Sequence, residues 1–177
     1  MVCYNVIGLV DLIDHIIAYD TDAYQLVFVS RLTEKLRKDG ILEYIYGPNI
    51  HLEIVQRSTE IIVFLINAEA LTSVELDVIW SPVEGNQHRS IVHGVCHVLH
   101  EIADILTLEN KSYLFKKIRL MPMSFIESQT FSLIKALVVS LIDHTPPLRS
   151  TSVSITYVLC KRYTYAIVNE KLLIGCS

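Results

Sequence analysis

Apolar residues along this chain recur three and four positions apart, the spacing of helices that bury one face. Val6, Ile7, Leu9, Val10, Ile13, Ile16 and Ile17 set this period over residues 6–19. A second helix is predicted over residues 23–38. Lys35, Arg37 and Lys38 put cations in its last turn, and Gly40 stands where a C-cap glycine belongs. A short helix or turn at residues 41–46 then meets Gly47-Pro48-Asn49, a strong breaker. Residues 50–68 read as one long helix, with Leu52, Val55, Ile61, Ile62 and Leu65 on its apolar face.

Thr72 and Glu75 have the spacing of a capping box, in which hydroxyl and carboxylate satisfy each other's backbone amides. They open a short helix expected to end near Trp80, with Pro82 beyond it and a loop over residues 81–87. Further helices are predicted over residues 88–106, 108–119 and 128–142. Met121-Pro122 stops the second of these, and Thr145-Pro146-Pro147 the third. Helices joined by short turns, with nothing strand-like between them, indicate an all-α fold of stacked antiparallel helices. From Ser152 to Val158 the pattern alternates with a strand period, although a helix packed on the last pair fits as well. The expected organisation is therefore one helical domain over residues 1–147 and an unassigned tail over residues 148–177.

Composition sharpens this picture. The hydrophobic fraction is 51% and the mean hydropathy +0.41, so the chain is either a membrane protein or a piece of a larger packed array. Its longest apolar runs, residues 61–66 and 136–141, fall far short of the roughly 18 residues a membrane span needs. The N-terminus lacks the basic region of a signal peptide, and Asp11 and Asp14 interrupt its apolar stretch. A solenoid segment that shares its core with neighbouring repeats fits better. Leu12-Ile13-Asp14-His15 recurs as Leu141-Ile142-Asp143-His144, about three units of the ~40–47-residue armadillo or HEAT period apart. Four positions in so apolar a chain carry little weight.

A net charge of −4 gives no general reason to bind nucleic acid. In the basic run from Lys111 to Arg119, Tyr113 and Phe115 interleave Lys116 and Lys117, the pattern of an RNA-binding face. A solvated helix face with inward aromatics explains it more simply. The four cysteines, Cys3, Cys96, Cys160 and Cys176, form no CxxC pair and read as reduced cytoplasmic thiols.

The most chemical stretch holds His93, His97, His100, Glu101 and Asp104 on one predicted helix face, with His88 upstream. Histidines four apart can clamp zinc. A zinc protease helix needs His-Glu-x-x-His, however, and Asp104 stands where the second histidine would be. An amphipathic helix with a histidine-rich polar stripe is the simpler reading, and no metal or cofactor is expected. Cys96 sits mid-helix, where no free amides form an oxyanion hole, and no serine has a Gly-x-Ser-x-Gly setting. The scattered glycines make no phosphate loop. Tyr44, Tyr46 and Trp80 flank turns and are candidate interface residues, Trp80 being equally suited to plug the core.

One stretch is more specific. Gly40-Ile-Leu-Glu-Tyr-Ile-Tyr-Gly-Pro-Asn-Ile-His51, then Ile61-Ile-Val-Phe-Leu65, then Leu71-Thr72, Leu76-Asp77 and Ile79-Trp80, resembles the armadillo-like region ahead of the catalytic domain in giant ubiquitin-specific proteases of the fat-facets type. Val98-Leu-His-Glu-Ile-Ala-Asp104 and Tyr113-Leu-Phe-Lys-Lys-Ile118 look like its continuation, and the resemblance spans residues 32–137. The cysteine and histidine boxes of such proteases are missing. Cys3-Tyr4-Asn5 imitates the end of the first, without its preceding Asn and Thr. The resemblance thus implies a non-catalytic scaffold segment of a longer solenoid, holding ubiquitinated substrates or an associated catalytic domain in the cytoplasm. Two other expectations compete with it: a metal-dependent helical enzyme built on His93, His97 and His100, and an RNA-binding helical repeat.

Overall fold

The computed structural model describes Gly8, Ile13 and residues 22–85, 87–121 and 126–143. Most of these residues are helical, with no strand among them. The expected helix over residues 6–19, apart from Gly8 and Ile13, and the tail over residues 148–177 lie outside the described residues. No described helix is long and apolar enough to cross a membrane.

Helix α1, Asp22–Lys38, ends as its sequence requires. Gly40 takes a left-handed φ of 64° and its amide bonds Arg37 O, a conformation that costs a side chain more than glycine. The chain turns straight into α2, Ile41–Ile45. The predicted long helix over residues 50–68 is two helices, α3 (Leu52–Arg57) and α4 (Thr59–Asn67), parted at Ser58. There the Ser58 hydroxyl donates to Val55 O at 2.7 Å and meets Tyr46 Oη at 2.6 Å. A serine hydroxyl that competes for the helix's own carbonyls breaks its regularity.

Helix α5, Ser73–Glu84, opens with the capping box read from the sequence: Thr72 N donates to Glu75 Oε2 at 2.8 Å, and Val74 N donates to Thr72 Oγ1. It runs past Pro82 instead of ending near Trp80. Proline lacks the amide that would bond the carbonyl four residues back. Ser81 supplies the missing donor, its hydroxyl bonding Val78 O at 2.8 Å.

Helix α6, Arg89–Glu101, is shorter than the predicted 88–106. The carbonyls just past its end are taken by groups from elsewhere: Ser140 Oγ donates to Ala103 O, and Lys111 Nζ to Asp104 O. Helices α7, Leu108–Leu120, and α8, Ser128–Asp143, follow.

Packing centres on α6, which lies against α3, α5 and α8. Its Val95, Val98 and Leu99 are fully enclosed. Gly94 faces α3 so closely that a methyl there would lie 2.6 Å from Leu52 Cδ1. A mid-helix glycine costs about 1 kcal/mol against alanine, and this close approach is what it permits. Contacts also run from α2 to α5 and from α5 to α7. One apolar cluster joins all these helices, from Leu36 of α1 to Leu137 of α8.

Candidate functional site

The three interface candidates part company. Tyr44 is 47% exposed on α2. Tyr46 is 2% exposed, with its hydroxyl held by Ser58, and Trp80 is 1% exposed in the core. Proximity to a turn brought all three to notice, yet α5 continues past Trp80 and buries it. Among the described residues Trp80 Nε1 has no hydrogen-bond partner.

The histidine stripe does not converge. His93 Nε2 meets Glu127 Oε2 at 2.6 Å, and Arg89 pairs with the other oxygen of Glu127 at 2.8 Å. His97 lies 3.7 Å from Glu101, whose carboxylate also accepts from Thr59. His88 caps α6 by accepting from Ser90 N. Among the described residues no three His, Cys, Asp or Glu side chains could hold one metal ion. Cys96 is fully enclosed on α6, and burial pushes its thiol up to about 11, away from the reactive thiolate.

Two cations of the basic run of α7 hold it to its neighbours. Lys117 pairs with Asp77 at 2.6 Å and Glu84 at 3.1 Å on α5, and Tyr113 donates to Asp77 at 2.7 Å. Lys117 and then Tyr113 hold the Asp77 carboxyl below its usual range. Lys111 is 2% exposed, its ammonium donating to Ser140 Oγ at 2.6 Å. Burial lowers its pKa, with Asp104 opposing. Of the cations that suggested an RNA-binding face, Lys111 is therefore buried and Lys117 is paired at the surface with α5, while Lys116 and Arg119 are exposed.

Among the described residues a cleft of about 220 Å³ opens where α1 ends beside α2 and α5. Leu36, Ile41 and Leu42 form one wall, Val74 and Val78 the other, and Ile61 and Leu65 of α4 line it as well. Arg37 closes one side. Its Nε donates to Glu75 Oε1 at 2.8 Å and its Nη2 to Ala70 O at 2.6 Å. Burial raises the Glu75 pKa, but the Thr72 and Arg37 hydrogen bonds outweigh it and the carboxyl titrates lower than usual. Glu43 also lines the cleft, exposed and without an ion pair among the described residues. Tyr44 stands next to it in α2, and Val74 is 67% exposed. Only the Tyr44 part of this surface was visible in the sequence, because Arg37 and Glu75 meet across 38 positions of chain.

No protein-family model, curated protein or solved structure matches this chain.

Proposed function

We propose that this chain is a non-catalytic, armadillo-like scaffold segment that positions protein partners in the ubiquitin pathway of the cytoplasm. The order of packing carries the reading. Helices α2, α5 and α7 contact one another in succession, and α3, α6 and α8 do the same. Two parallel rows of this kind are what stacked helical pairs produce, each pair touching only its neighbours. The link to ubiquitin rests on the resemblance of residues 32–137 to the region ahead of the catalytic domain in giant ubiquitin-specific proteases. A scaffold acts by raising effective concentration and needs no reacting group of its own. That fits a chain in which His88 caps α6, His93 and His97 lie beside carboxylates, and Cys96 is enclosed.

The purified chain is expected to leave ubiquitin-aminomethylcoumarin intact. It is also expected to bind either tetraubiquitin or the catalytic domain of a ubiquitin-specific protease in biolayer interferometry. Robust hydrolysis overturns the non-catalytic assignment. Absence of binding to both overturns the place in the ubiquitin pathway.

A further inference from the structure

The cleft beside α2 has a chemistry that narrows its occupant. Its volume, about 220 Å³, lies below the roughly 300–1,000 Å³ of sites that enclose a small molecule. It suits a single side chain, and its floor is aliphatic. The charges around it are unequal in availability. Glu75 accepts from Arg37 and from Thr72, while Arg37 is held by Glu75 and Ala70 O, so that pair is internally matched. Glu43 is the one lining carboxylate with no ion pair among the described residues. With Arg37 matched by Glu75, the lining charges leave one net negative, carried by exposed Glu43, beside the exposed apolar surface of Val74.

We propose that this cleft docks a protein segment that inserts one aliphatic side chain and pairs a flanking lysine or arginine with Glu43. The apolar anchor supplies most of the affinity, as central enclosed side chains do at interfaces. The rim charge selects a basic flank and repels an acidic one. The proposal deepens the scaffold reading by giving its partner a chemistry.

The test is an NMR titration of the full chain with acetyl-Gly-Lys-Leu-Lys-Gly-amide. Shifts are expected at Leu42, Val74 and Val78. Replacing the leucine of the peptide by alanine should weaken binding about tenfold, from the lost apolar contact. Glu43→Gln should weaken it about fivefold, the worth of roughly one exposed ion pair, and Glu43→Lys more. Replacing both lysines by glutamate should weaken it at least as much. Shifts that map elsewhere, indifference to both Glu43 substitutions, or equal binding of the glutamate peptide would overturn the proposal. So would a dimer of this chain that competes with the peptide, since it would assign the cleft to a second copy. Glu43 lies on the surface, and an unchanged helical circular dichroism spectrum confirms that each variant folds. Ubiquitin-aminomethylcoumarin hydrolysis or loss of tetraubiquitin binding bears on the scaffold reading, whereas the peptide result bears on the cleft alone.

Discussion

Cys96 shows how an enclosed side chain contributes to the molecule's response to pH. Its thiol is enclosed on α6, and its nearest polar neighbour is Thr130 Oγ1 at 4.0 Å. Desolvation disfavours the thiolate, so the folded chain keeps the proton until about pH 11, against an ordinary value of 9.0. Between those limits the unfolded state has lost a proton that the native state retains, and stability falls as pH rises. The contribution is fully present below pH 9 and is lost by pH 11, about 2–3 kcal/mol in all. Lys111 acts in the opposite sense. Burial lowers the pKa of its ammonium, so rising pH relieves a strain on the folded state. Comparison with Cys96→Ala separates the two. In urea titrations the stability advantage of the wild type should shrink by about 2–3 kcal/mol between pH 8.5 and 11. A difference that stays constant with pH would refute the assignment.

At the scale of elements, the break between α3 and α4 depends on a residue outside either helix. Ser58 is fully enclosed and shares its hydroxyl with Tyr46, which lies beyond the end of α2. Ser58→Ala leaves the Tyr46 hydroxyl buried without that partner, at a cost of about 1–3 kcal/mol. Removing the second hydroxyl as well, in Ser58→Ala/Tyr46→Phe, should recover most of that loss. A double variant whose cost equals the sum of the single ones would refute the coupling. The same logic separates what the sequence discloses from what it hides. Gly40, Thr72 and Glu75 act within a few positions of themselves, and their caps were legible. The break at Ser58 was not, because the Tyr46 hydroxyl that holds the Ser58 side chain lies 12 positions away. The early end of α6 follows from Lys111 and Ser140, and the cleft from Arg37 meeting Glu75, all contacts made only after folding. Pro82 misled for a subtler reason. Proline normally ends or kinks a helix, but the serine before it returns the missing hydrogen bond.

For the whole molecule, the question is whether the helices unfold as one body or in separate units. A long repeat array can lose its pairs one after another. Here α6 touches α3, α5 and α8 at once, and a single apolar cluster runs from α1 to α8. That connectivity ties the fate of each pair to the next, so a two-state transition is expected. Trp80 makes the test direct: it is the chain's one tryptophan, fully enclosed on α5. Its fluorescence reports on the packing around α5, while far-ultraviolet circular dichroism reports on helices throughout. The two urea curves should coincide. Leu99→Ala on α6 removes an enclosed side chain and should cost about 2–5 kcal/mol, moving both curves together although Leu99 and Trp80 belong to different helices. Curves that separate, or a Leu99→Ala shift confined to one probe, would mean that the pairs stand alone. The two rows of contacts would then describe an open stack whose stability is a sum over pairs, not one shared core.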